Sequence, residues 1–254
     1  MIDAGALKAE WTKFSSLRAT MALSVAAVLV SGLFGWMFSN AAAAEYATLT
    51  PQERLGFNPV ELGMRGIFLV QVLLAGLGAL IVSTEYGSGT ITASMAAVGR
   101  RGRLLAAKAG MTVLSALPVS VASIVLMFTV SQSTLAAGGA PAATPGDTTA
   151  IQLLLGGPIV LTLISLFGLT LGVLLRSTAA AVNFSVVFLL LPILSSVMPG
   201  FLQVVVRFFW PNAAPFQAMY GAENVPDLLG YGLIVAFVVV MLAAAYVRFT
   251  RKDA

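Results

Sequence analysis

The sequence contains no cysteine and no histidine. Disulfides, thiolate chemistry and the usual zinc ligands are therefore excluded. Charge is scarce as well: Asp, Glu, Lys and Arg make up 9% of the 254 residues, against about 25% in ordinary soluble domains. The phosphate-binding pattern G-x-x-x-x-G-K-[ST], which needs glycines for close backbone approach and a lysine for the phosphates, occurs nowhere. A role driven by ATP would require a separate nucleotide-binding subunit. What the chain has in abundance is apolar residues, 59% of the total.

These residues fall into six long stretches, 20–39, 66–83, 112–131, 153–175, 179–197 and 228–247, none of which contains Asp, Glu, Lys or Arg. Each is close to the roughly 17–25 residues that cross a hydrocarbon core as a helix. Six such segments cannot share one soluble core. The predicted fold class is an all-α membrane protein with six transmembrane helices, residues 1–254 forming a single domain. With the N-terminus inside, segments 1–19, 84–111, 176–178 and 248–254 hold eleven of the fourteen Lys and Arg residues, leaving Arg54, Arg65 and Arg207 outside. The positive-inside rule thus predicts a multi-pass protein of the cell membrane with both termini cytoplasmic.

In residues 1–19, Leu7, Trp11, Phe14 and Leu17 recur at helical spacing while Lys8, Glu10, Lys13 and Ser15 face elsewhere. This pattern predicts an amphipathic interfacial helix anchored by Leu7, Trp11 and Phe14, with a disordered leader as the alternative. The basic start, the apolar run and Asn40-Ala41-Ala42-Ala43-Ala44 also resemble a cleavable signal peptide. The run exceeds the about 7–15 residues of a signal core, so the first span is expected to remain. Outer loop 40–65 carries Glu45, Glu53 and Glu61, with Pro51 and Pro59 marking turns. Outer loop 132–152, rich in Gly, Ala and Pro, is expected to be mobile and to have no packing face. Segment 198–227 opens at Pro199-Gly200 with an apolar run too short to span. It is read as re-entrant or interfacial, with Phe208, Phe209, Trp210 and Tyr220 at headgroup level; an ordinary loop at the interface is equally open. Pro118, Pro158 and Pro192 are expected to bend spans three, four and five.

No carboxylate pair, Ser/Lys group or metal-ligand grouping lies within the spans, so neither an enzyme nor a metal site is expected. Proton- and ion-coupled transporters keep ionisable groups at mid-membrane, and here there are none. Gln71 and Asn183 remain as polar candidates for a substrate path, although hydrogen bonds between helices explain them equally well. The most informative connection is 84–111. Ser88 or Thr90 can cap a short helix whose Ile91, Met95 and Val98 line one face. Gly99 and Gly102 then bracket a turn holding Arg100, Arg101 and Arg103. An exposed helix with an apolar ridge beside basic residues suits docking into a partner, while the charges alone also fit contact with anionic lipid.

The run Ser83-Thr84-Glu85-Tyr86-Gly87-Ser88-Gly89-Thr90-Ile91 resembles the E-x-x-x-G-T signature of ABC-2 type permeases. Ala97-Val98-Gly99-Arg100-Arg101-Gly102-Arg103-Leu104-Leu105 and Lys8-Ala9-Glu10-Trp11-Thr12-Lys13-Phe14 are similar to the small actinobacterial members. The resemblance implies a type V exporter-like transmembrane domain. It further implies the permease subunit of an ATP-driven ABC exporter for an amphipathic, lipidic, peptide or drug-like substrate. Implied partners are separate ABC ATPase subunits, a second permease copy or paralogue, and membrane lipids, with no nucleic acid. This chain itself would bind no cofactor, ATP and Mg belonging to the ATPase. Glu85, Gly89, Thr90, Ile91, Met95, Val98 and the three arginines would form the ATPase-coupling region, and Glu85 is expected to pair with Arg176. The alternative, from a different class, is a non-transporting membrane scaffold or regulatory subunit that recruits a cytoplasmic partner.

Overall fold

The computed structural model describes residues 4–98, 101–221 and 226–251; the side chains of Ala4, Ala6, Leu7, Lys8 and Ala97 lie outside that description. A chain this poor in polar partners satisfies its backbone internally, and it does so with helices. In order these are α1 (Ala4–Ser16), α2 (Arg18–Thr48), α3 (Pro51–Arg54), α4 (Pro59–Gly63), α5 (Ile67–Gly87), α6 (Ile91–Val98), α7 (Arg101–Ala137), α8 (Thr148–Leu175), α9 (Thr178–Leu190), α10 (Gly200–Phe208), α11 (Ala214–Met219) and α12 (Asp227–Arg251). A 3-10 segment, Leu191–Val197, extends α9. Among the described residues there is no strand. Six helices are long and apolar enough to cross a membrane: α2, α5, α7, α8, α9 with its extension, and α12. They match the six apolar stretches in order, which is the makeup of a multi-pass membrane protein.

Several connections are shorter than their composition implies. Helix α2 continues through Asn40 and four alanines to Thr48, since alanine is the strongest helix former. Ala42 and Ala43 then pack against Leu135 and Ala140. Segment 132–152 therefore does have a packing face, contrary to expectation. The Gln132 amide donates to the Pro59 carbonyl at 3.2 Å and accepts the Ala143 N–H at 2.8 Å, tying the loop down. Helix α7 begins at Arg101, so residues 101–111, assigned to a connection from sequence, are helical. Thr50 and Glu53 form a reciprocal capping box that starts α3, with Pro51 in the first turn. Pro118 and Pro158 sit inside unbroken helices, whereas at Pro192 the missing N–H coincides with the tightening of α9 into 3-10 geometry.

The centre of the bundle is the α5–α8 pair. Gly78 faces the Ser165 carbonyl and Gly168 faces the Ala75 carbonyl, so closely that a Cβ at either glycine would overlap backbone. Small residues at a membrane helix interface allow such an approach. Around this pair, α2, α9 and α12 turn apolar side chains outward. On α2, Val25, Leu29, Leu33 and Trp36 form one exposed stripe, a surface suited to lipid.

Helix α5 also defines the two ends of the bundle. Around its C-terminus gather α1, α6, the start of α7 and the end of α12, the last two joined by Arg101 Nη1 donating to the Thr250 carbonyl at 3.2 Å. The basic segments predicted to share one side thus lie together. Around its N-terminus gather α4, α10 and α11.

Candidate functional site

At the Glu85 end, four charged side chains from three helices form one cluster. Glu10 and Lys13 are one turn apart on α1, Glu85 lies in the last turn of α5, and Lys108 is two turns into α7. Lys108 is fully buried, and Glu10 and Glu85 nearly so. A lysine ammonium has three N–H donors, and that of Lys108 has three oxygens within reach. These are Glu10 Oε2 at 2.9 Å, Glu85 Oε1 at 2.8 Å and the Ile81 carbonyl at 3.2 Å. Lys13 also meets three: Glu10 Oε1 at 3.1 Å, Glu85 Oε1 at 2.7 Å and Ser94 Oγ of α6 at 3.0 Å. Two cations and two anions alternate, and the cluster is neutral. Among the described residues Glu85 Oε2 has no hydrogen-bond partner.

Pairing is what makes this burial tolerable, because an isolated charge out of water is prohibitively costly. Burial alone would lower the proton affinity of Lys13; the Glu85 and Glu10 carboxylates outweigh it and hold the ammonium above the ordinary lysine range. Next to the cluster opens a cavity of about 490 Å³, with Phe14, Leu17 and Ile81 as its apolar wall and Glu10, Lys13 and Glu85 as its charged side.

This geometry revises the reading of α1. Glu10 and Lys13 do not face away from the bundle; they turn into it, and Phe14 packs on the core beside them. Trp11, whose ring centroid lies 6.4 Å from that of Phe14, is 54% exposed. The side chain of Leu7 lies outside the description.

Helix α6 is revised in the same direction. Its Ile91 is buried, and Met95 and Val98 pack against the main core. The apolar ridge expected to meet a partner is thus spent on the chain's own bundle. Among its described side chains, Thr92, Ala93 and Ala96 face outward, small and exposed. Gly89 makes the preceding reversal at φ +71°, a conformation that favours glycine. Ser88 and Thr90 bond through their hydroxyls at 2.9 Å across the same turn.

Glu85 pairs with Lys13 and Lys108 in place of Arg176. The Arg176 guanidinium lies over the Tyr86 ring, 5.6 Å from its centroid. Arg103 is exposed, Arg101 reaches α12, and Arg100 falls outside the described residues. Sequence reasoning missed Lys13 and Lys108 as the partners of Glu85, and Glu10 as the second carboxylate on the same two lysines. The available signal was the setting of Lys108, Leu104-Leu105-Ala106-Ala107-Lys108-Ala109, which contains no loop-forming residue.

Gln71 and Asn183 are not brought together. Gln71 is buried, its Oε1 accepting from Asn212 Nδ2 at 2.7 Å, and that nitrogen also donates to the Leu189 carbonyl at 3.1 Å. Asn183 is on the exposed face of α9. Trp210 donates its indole N–H to the Phe188 carbonyl at 3.0 Å, so it and Asn212 fasten segment 198–227 to α9. No three carboxylates gather in metal-binding geometry among the described residues. Compared with protein-family models and with curated proteins, the sequence matches none.

Proposed function

We propose that this chain is the membrane-spanning permease subunit of an ATP-driven ABC exporter of the ABC-2 type, with residues 88–98 as the segment that seats on a separate ATPase. The observation that carries this reading is the attachment of α6. A segment that transmits force needs a stiff hold on the bundle at one face and an accessible surface at the other. Helix α6 has both: Ile91, Met95 and Val98 grip the core, and Ser94 is bonded to Lys13 of the charge cluster. On the other side, Thr92, Ala93 and Ala96 offer a small-residue face that a partner can approach closely.

The positive-inside rule orients the Glu85 end to the cytoplasm, where ATP and Mg would act on the partner subunit. Without ionisable groups at mid-span, the bundle suits an amphipathic or lipidic cargo better than a small ion. The exposed apolar faces of α2, α9 and α12 are surfaces on which a second copy or a paralogue would pair. The test is a mild-detergent pull-down of the tagged chain from its native host, co-purifying proteins being identified by mass. A stoichiometric subunit carrying G-x-x-x-x-G-K-[ST] is the expected result. Reproducible recovery with no ATPase would overturn the reading in favour of a scaffold.

A further inference from the structure

At the end of the bundle opposite Glu85, a cleft of about 160 Å³ opens between the α4–α5 junction, the 3-10 segment, α10 and α11. Two arginines line it, Arg65 from the α4–α5 junction and Arg207 from α10. Both are exposed, and among the described residues neither forms an ion pair. Their meeting is notable because basic residues are so rare in the segments at this end. Of the three, Arg54 lies 4.7 Å over the Tyr46 ring, and the other two share this one cleft. Glu61 also lines it, so two arginines and one glutamate leave a formal charge of +1. Gln217 adds a hydrogen-bonding group and Phe68 an apolar wall.

We propose that this cleft binds the phosphate group of an anionic amphiphile. Guanidinium presents its donors as a planar fork that matches phosphate oxygens two at a time, and two forks hold a tetrahedral oxyanion from two directions. The volume corresponds to roughly five water molecules, room for a headgroup and not for a peptide. The apolar part of the ligand has a surface beside it, because α10, which carries Arg207, exposes Phe201, Val204 and Val205. The site needs no ATPase and stands apart from the transport reading.

The test uses the full chain purified in detergent, with dioctanoyl-phosphatidylglycerol and inorganic phosphate as probes and bound lipid counted by native mass spectrometry. Arg65→Gln combined with Arg207→Gln should weaken lipid binding about tenfold or more, the scale of losing charge-assisted hydrogen bonds. Glu61→Gln should tighten it, since the cleft loses its only described anion. Displacement of the lipid by millimolar phosphate assigns recognition to the oxyanion itself; lack of displacement assigns it to the lipid headgroup. Unchanged affinity in the arginine variant overturns the proposal. Should that variant fail to fold, a Glu61→Gln protein that binds no tighter than the parent overturns it equally.

Discussion

Lys108→Met is the perturbation that best isolates the charge cluster. Methionine keeps an unbranched chain of similar length, so the cavity term is small and the change is mainly loss of one positive charge. Glu10 and Glu85 are then left to share Lys13, whose side chain is 42% exposed and so a weaker counterion. Removing one partner from a buried ion pair costs about 3–5 kcal/mol. In a chain of this size that lowers the thermal midpoint by roughly 10 °C, at about 2–4 °C per kcal/mol. Glu85→Gln alone, which leaves two ammoniums on one carboxylate, should lower it by a similar order. The double variant should not lose the sum. With one charge of each sign gone, Glu10 and Lys13 remain as a neutral pair one turn apart on α1. Its midpoint should lie well above the additive value, a coupling of about 2 kcal/mol for residues in direct contact. The assay is thermal unfolding in detergent followed by near-UV circular dichroism for the four proteins of the cycle. Single-variant losses that add to within about 0.5 kcal/mol would refute the view that the four charges act as a unit.

The raised proton affinity of Lys13 gives a pH signature. Its folded state holds the proton more tightly than the unfolded state, so its contribution is complete below the ordinary value of 10.5 and is lost as pH rises through the folded value. The parent's midpoint should therefore fall more steeply as pH rises above 10.5 than that of Lys13→Met. Gly168→Ala places a Cβ against the Ala75 carbonyl and should cost several kcal/mol, read as loss of a monodisperse peak in size-exclusion chromatography. Ala93→Trp with Ala96→Trp should abolish recovery of the ATPase in the pull-down while leaving the thermal midpoint within about 2 °C of the parent, because both positions are exposed. Asn212→Ala removes the amide that holds Gln71 and the Leu189 carbonyl, and should speed hydrogen exchange across 200–219.

The spans were legible because their signal is local: length, apolar content and absence of charge each sit within about 20 residues. The sorting of basic residues to one end was legible for the same reason. Lys108 was not, because a lysine near a span end looks the same whether it meets water, lipid or a carboxylate. Its burial depends on Glu10, ninety-eight positions earlier in the chain, which no periodicity reports. The face that α6 turns inward was misread for a related reason. An apolar ridge on a short helix shows that something covers it, and the bundle that does so is assembled from distant sequence. Gln71 was legible as a helix-contacting polar residue, while its partner Asn212 follows Trp210-Pro211 in an apolar segment that offered no hint of reaching α5.

Helix α5 carries the neutral charge cluster at one end and meets the arginine cleft at the other. Its 21 residues span about 30 Å. The glycine contacts that press it against α8 leave little freedom for it to bend or slide, since packed backbone has nowhere to yield. The pair can therefore act as a lever: tilted by about 5° around its midpoint, it moves each end about 1.3 Å in opposite directions over that length. A pull delivered at the turn after Gly87 would be felt at Arg65 as a change in the width of the cleft, without any helix having to unwind.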